Sequence, residues 1–391
     1  MTVSDDERLA RATLSAIAEP GNALLGMVVA RLGPLGAIDV ARTGLAPSDL
    51  VTGHKANKRL AEHVASWRIR LPAADPEADL TVCEKLGGRL VCPGDPEWPG
   101  QLDDLGDKRP YALWLRGPGD LRYGCLRSVA VVGARAASPY GTRAAADLAA
   151  ELSGRGWSVV SGGAMGIDAA AHRGALAVDG STVAVFANGV DTPYPRCNDG
   201  LFAEMLKRAL LVSESPPGTE PTRLRFLVRN RVIAALTRGT VVVEAAARSG
   251  ALSTAKHART LNRVLMAVPG PVTSLTSVGC HMLIRQTPPA RCVTNAAEVI
   301  EEVGRIGADL APEPRGPVLP RDQLEPTTRV VLEAIPAVGA AGPAQIAVKA
   351  GVDLTTARGC LGILAAGGFI ERCDQGWRLP RPRKPKRTVP P

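Results

Sequence analysis

Residues 128–163 read SVAVVGARAASPYGTRAAADLAAELSGRGWSVVSGG. An unbroken apolar run ends at Gly133, an alanine- and leucine-rich segment with helical spacing follows, and a second apolar run ends at Gly162-Gly163. Apolar residues on consecutive positions fit a strand covered on both faces, as in the middle of a parallel sheet. Strand, helix and strand in that order form a right-handed crossover unit. The pattern repeats outward. STVAVFANG from 181, ALLVSE from 209, GTVVVEA from 239 and RVLMAVPG from 263 supply further strands. IDAAAHRGALAV, DGLFAEMLKRA, RNRVIAALT, LSTAKHARTLN and SVGCHMLIRQ supply the helices between them. The expected fold over residues 80–305 is α/β, a doubly wound, mainly parallel sheet.

The flanks read differently. Residues 1–75 contain RLARATLSAIA, ALLGMVVARLG and PLGAIDVARTG, apolar at three- and four-residue spacing with Gly or Pro between, which predicts a small bundle of short helices. The acidic, Pro-containing string DPEAD at 75–79 reads as a linker, as does the Pro- and charge-rich segment 306–325. Residues 326–380 offer three helices, TRVVLEAI, PAQIAVKAG and DLTTARGCLGILAAGG, then a hairpin in FIERCDQGWRLP, the plan of a winged helix. The third helix would turn Leu354, Ala357, Cys360, Leu361 and Leu364 to one face, and its only cation is Arg358. A duplex-reading helix brings more donors, so a structural or partner-binding role is equally open. Residues 381–391 form a basic tail.

The 391 residues carry a formal charge of +9. Six cations, Arg378, Arg381, Arg383, Lys384, Lys386 and Arg387, sit at the acid-free end, and removing them leaves +3 for the rest. Local clusters must therefore carry any nucleic-acid argument. Aromatic residues make up 3%, which disfavours a surface built mainly of stacking rings. The eight cysteines are widely spaced and the five histidines show no ligand spacing, so no metal is expected. The start of the chain is acidic and no window approaches the roughly 18 apolar residues of a membrane span, which predicts a cytoplasmic protein.

In an open parallel sheet, ligands collect beyond the carboxyl ends of the strands. Four glycine-bearing loops fall there: VVGARAASPYGTR, SGGAMGIDAAAH, EAAARSGALSTA and VPGPVTSLTSVG. In the first, Gly133 permits a tight turn, Ser138 or Thr142 caps the next helix, and Arg135 adds a charge toward an anion. In the second, Gly162 and Gly163 allow close approach of a ligand to backbone, although packing alone explains any single such loop. The first loop is not GxGxxG and no GxxxxGK[ST] occurs, so dinucleotide and ATP cofactors are not expected. GxSxG and HExxH are also missing. Asp168 and His172 lie one helical turn apart, most simply as a helix-start carboxylate and a packed histidine. The segment TRLRFLVRNR carries Arg223, Arg225, Arg229 and Arg231 without an acid, a local anion site suited to phosphate. Arg231 either faces phosphate or braces a core carboxylate such as Glu244.

Taken in order, GARAASPYG, SGGAMGIDAAAH, VAVFANGVDTPYPRCN, SESPPG, RNRVIAAL, VVVEAAARSGALSTA and AVPGPVTSLTSVG resemble the central domain of the bacterial DNA-processing protein A family (DprA, also called Smf). DPEWPGQLDDLGDKRPYALWLRG resembles its entry segment. The resemblance covers residues 86–300 densely. It implies an extended Rossmann-like domain that binds single-stranded DNA, forms a homodimer, loads the RecA recombinase and performs no covalent chemistry. It also implies a sterile-alpha-motif-like domain at 1–75 and a winged-helix-like domain at 326–380. Carried over by position, the DNA site takes Gly133, Arg135 and Ser138; Ser161, Gly162 and Gly163; and Arg225, Phe226, Arg229, Asn230 and Arg231, with Phe226 stacking on a base. Leu227 stands where the family usually has proline, His281 where it has asparagine, and QTPPA at 286–290 where it has Gly-Ala. The alternative class is a phosphoribohydrolase-like, nucleotide-hydrolysing enzyme, whose PGGxGTxxE loop this chain lacks; a third is a scaffold whose C-terminal module binds a protein.

Overall fold

In the computed structural model, which describes residues 3–47, 49–305, 309–311 and 319–380, the six expected strands are joined by three more. They are β1 (Gly88–Val91), β2 (Leu113–Arg116), β3 (Ser128–Val132), β4 (Ser158–Ser161), β5 (Thr182–Phe186), β6 (Leu210–Ser213), β7 (Gly239–Val242), β8 (Val264–Ala267) and β9 (Arg291–Cys292). One sheet holds them in the order β1-β2-β6-β5-β4-β3-β7-β8-β9. From β6 through β9 every pairing is parallel, whereas β2 runs antiparallel to β6 and β1 antiparallel to β2. The chain winds from β3 out to β6, then returns to place β7 on the other side of β3. That reversal makes a crevice between the loops after β3 and β7, where doubly wound sheets hold ligands.

Alternate residues of each strand enter opposite layers. Val129 and Val131 of β3 pack with Leu148 and Leu152 of helix Pro139–Gly154 and Ala171 of helix Ile167–Ala177. Ala130 and Val132 pack with Val232, Ile233 and Leu236 of helix Arg223–Leu236. Full burial of such side chains contributes roughly 1.5–3 kcal/mol each, so both layers hold the loops on a stiff base. The arginine-bearing helix starts at Arg223, earlier than the expected Arg229, because Thr222 caps it by accepting the Arg225 amide.

The helices Asp5–Ile17, Ala23–Thr43 and His54–Arg70 bury Leu14, Leu25, Val28, Val40, Val64 and Trp67 among themselves. Ala23–Thr43 is long and apolar enough to cross a membrane by composition alone. It breaks at Gly33, whose φ is +74°, ahead of Pro34, and its two halves fold into this core. Together with the sheet these helices form one compact unit, Met1–Ala311. DPEAD is not a linker: Asp75 caps helix Pro76–Lys85 with Pro at its first turn and Glu77 and Asp79 behind it. Acids and Pro in that order start a helix as readily as they loosen a chain.

The second unit contains helices Pro326–Glu333, Pro343–Ala350 and Leu354–Ala366 and the antiparallel hairpin β10 (Glu371–Cys373) and β11 (Gly376–Arg378). Ala357, Cys360, Leu361 and Leu364 are buried as expected, but Leu354, the first residue of its helix, is 39% exposed. Residues 306–308 and 312–318 of the 306–325 segment and the whole 381–391 tail lie outside the described residues.

Candidate nucleic-acid interface

A cleft of about 880 Å³ opens at the reversal point of the sheet. Gly133 and Arg135 line it from the loop after β3, Arg248 and Ser249 from the loop after β7, and Arg223, Phe226, Arg229 and Asn230 from the arginine-bearing helix. Tyr194 closes one side. Arg135, Arg223 and Arg248 are exposed, and among the described residues none has a carboxylate within ion-pair distance. Phe226 is half-buried, with the Arg135 guanidinium 4.8 Å and the Arg229 guanidinium 5.8 Å from its ring centroid and the Tyr194 ring 5.9 Å away. Cations this near an aromatic ring hold it in place by its quadrupole.

Arg229 forms the floor. Its Nη1 donates to the carbonyl oxygens of Gly162, at 2.8 Å, and Val185, and its Nε donates to Asn230 Oδ1 at 3.3 Å. A Cβ at residue 162 would stand 2.5 Å from that guanidinium, so only glycine seats it. Burial pushes Arg229 down to about 10, with Asp168 opposing the shift and Arg135 adding to it; the group remains charged at neutral pH. Asn230 Nδ2 donates to the Gly250 carbonyl at 3.3 Å and ties the helix to the loop after β7.

Two of the glycine loops direct amides to internal carboxylates. Ser138 donates to the buried Glu244 carboxylate through both its amide, 2.9 Å, and its hydroxyl, 2.6 Å, and Thr276 donates to it at 2.9 Å. Asp168 accepts the amides of Gly162 at 3.1 Å and Ala164 at 3.4 Å. The Ser161 hydroxyl, fully buried, donates to the Val131 carbonyl at 2.7 Å. Two internal carboxylates thus fill the places where a phosphate-binding loop would hold its ligand. Ser138, Ser161, Gly162 and Gly163 shape the rim from behind; none of them lines the cleft. Asp168 and His172 do not pair: the His172 ring is bonded through Nδ1 to the Thr182 hydroxyl at 2.7 Å.

The four arginines do not act as one cluster either. At 3.6 residues per turn, positions 223, 226, 227 and 230 share one side of the helix, and 225, 228 and 231 fall on the other. Arg231, 2% exposed, forms a bidentate pair with Glu214 at 2.8 and 2.6 Å, so its brace is Glu214, not Glu244. Arg225 forms another with Glu19 at 2.9 and 3.0 Å. Residues 225 and 231 therefore leave the cleft, whereas Gly133, Arg135, Phe226, Arg229 and Asn230 meet there. Sequence reasoning missed Tyr194 and Arg248, both inside motifs that were legible, and placed Arg223 only in a general anion site.

A guanidinium-lined crevice at the reversal point of a Rossmann-like sheet, with three loop amides held by internal carboxylates, defines a doubly wound α/β protein with a basic cleft. The family model for DNA recombination-mediator protein A matches residues 89–304. A Mycobacterium tuberculosis relative that bears the name DNA processing protein DprA is 44% identical over 387 residues, 96% of this chain and 95% of that one. The DNA processing protein DprA of Streptococcus pneumoniae is 38% identical over 205 residues, covering 52% of this chain and 71% of the relative. The X-ray structure of the Streptococcus pneumoniae protein superposes with a TM-score of 0.61 at 29% identity, covering 78% of this chain and 100% of that one. The chain belongs to the DNA recombination-mediator protein A family, whose work is DNA processing and recombination.

Proposed function

We propose that the cleft binds single-stranded DNA and that the chain is a recombination mediator, acting without covalent chemistry. The observation that carries this is the grouping of Arg135, Arg223 and Arg248, none held by a carboxylate among the described residues, around the half-buried Phe226. Guanidinium groups suit phosphate oxygens, and a ring beside them suits an unstacked base. A crevice of about 880 Å³ has room for a few nucleotides of one strand. The proposed contacts are Gly133, Arg135, Arg223, Phe226, Arg229, Asn230, Arg248 and Tyr194. Arg225 and Arg231 would act from behind this wall.

Loading of the RecA recombinase, a homodimer, a cytoplasmic location and a winged-helix role for 326–380 belong to the same proposal. They rest on the family resemblance, and filament formation by the recombinase on single strands, with and without this protein, tests the first. The nucleotide-hydrolysing alternative is disfavoured because Glu244 and Asp168, the rim carboxylates, already accept amides or hydroxyls. Release of free base from nucleoside monophosphates would revive it.

The central experiment is fluorescence anisotropy with a labelled single strand and the matching duplex across a salt series. We expect preference for the single strand and a fall in affinity with salt of roughly 0.7 log units per log unit for each phosphate contact. Arg135→Ala with Arg248→Ala should weaken binding by about tenfold or more and flatten the slope. Unchanged affinity in that double variant would overturn the assignment.

A further inference from the structure

Behind the arginine-bearing helix lies a polar cavity of about 260 Å³ that the cleft does not include. Its walls come from the N-terminal helices and from the segment after β6, with Ser15, Glu19, Arg70, Ser215, Thr219 and Arg225 among the lining residues. Two guanidinium groups share one carboxylate there. Arg225 holds Glu19 in the bidentate pair and donates to the Glu220 carbonyl at 2.8 Å. Arg70 stands 3.9 Å from Glu19 and donates only a long bond, 3.4 Å, to the Ile17 carbonyl. The cavity therefore carries one uncompensated positive charge, at a side chain 46% exposed. It adjoins the first turn of the helix whose other side, at Thr222 and Arg223, lines the cleft.

We propose that this cavity is a second phosphate subsite for the strand bound in the cleft, with Arg70 and Arg225 as donors and Glu19 as the resident counter-ion. The inference rests on the reading of the cleft as a single-strand site. A phosphodiester leaving the cleft past Arg223 meets Arg70 next, and a phosphate competes with Glu19 for the fork of Arg225. Arg–phosphate pairs are bidentate like Arg–carboxylate pairs, so the exchange preserves the geometry. Glu19 is 43% exposed in its side chain and Arg225 22%, so Glu19 can turn to water, and an ion pair with one partner this exposed is weak. Hydrogen bonds from Arg225, ahead of the charge of Arg70, hold the Glu19 carboxyl below its ordinary range, so the counter-ion stays ionised at neutral pH. The N-terminal helices thus extend the DNA path, and Glu19 sets how readily a strand enters the extension.

The test compares two oligothymidylates in the full-length chain, one of about six nucleotides that fills the cleft alone and one of about 20 that spans both regions. Glu19→Gln should tighten the long oligomer about three- to tenfold and leave the short one unchanged. Arg70→Gln should weaken the long oligomer by a similar factor, lower its salt slope by about 0.7, and again spare the short one. Arg70 is exposed enough that its replacement should leave the melting temperature intact, which keeps the test valid if Glu19→Gln disturbs the fold. Equal effects on both lengths, or none, would overturn the subsite. Failure of the wild-type chain to bind the short oligomer would instead overturn the cleft itself.

Discussion

The wall of the cleft and the layer directly behind it contain the same kinds of residue and treat them in opposite ways. On the wall, Arg135, Arg223 and Arg248 stand open to water beside Phe226. Behind it, Arg231 is locked to Glu214, Glu244 to Ser138 and Thr276, and Asp168 to two amides. The difference shows that charge alone does not say whether an arginine is left open to water; a carboxylate partner, or the lack of one among the described residues, does. The inner layer fixes where the wall stands, and the wall is the face that the proposed function offers to a strand.

The sharpest way to break that division is at Arg231. Arg231→Met should leave Glu214 buried and unpaired and lower stability by about 3–5 kcal/mol in urea denaturation. Adding Glu214→Leu should recover most of the loss, because an apolar pair of similar volume replaces the ions. If Arg231→Met weakened DNA binding without lowering stability, Arg231 would belong to the wall.

Acid should separate the two regions as well. Burial pushes the His172 imidazole down to about 3, with the charges of Arg229 and Arg173 adding to the shift. The unfolded chain, with a histidine near 6.5, then binds the proton that the folded chain refuses. Stability from this group is fully present above pH 6.5 and is lost as pH falls toward 3, about 2 kcal/mol at pH 5. His172→Gln should flatten the melting-temperature profile between pH 7 and 5, and an unchanged profile would show that this histidine is not the group responsible.

A smaller effect is expected at the wall. Phe226→Ala should reduce single-strand affinity by about 1–2 kcal/mol and leave the melting temperature nearly unchanged. A stability loss as large as that of Arg231→Met would place Phe226 with the inner layer.

The six parallel strands were legible because residues such as Val129 to Val132 and Val241 to Val243 are apolar on consecutive positions, which only a doubly covered strand requires. β1 and β2, GRLV and LWLR, were not, because four-residue strands that include arginine show neither an apolar run nor a clean alternation. β9 is only Arg291–Cys292. In the site, Arg135, Phe226, Arg229 and Asn230 could be read from a local motif. The partners that remove Arg225 and Arg231 could not, because Glu19 and Glu214 come from other elements, one of them 206 residues away. Helical periodicity alone separates 225 and 231 from 223 and 226, and it names the side of the helix without naming what covers it.

Gly26 approaches Asp107 more closely than any side chain would allow: a Cβ there would lie 1.8 Å from the Asp107 carbonyl oxygen. The Tyr111 hydroxyl donates to the Asn22 carbonyl at 3.0 Å, and Glu19 waits for Arg225. All of these partners emerge from the ribosome after the helices that need them. At about 5–20 residues per second, the first helices must remain in the open for roughly 10–40 s before Arg225 is synthesised. The N-terminal helices are therefore made before the partners that fix their seat.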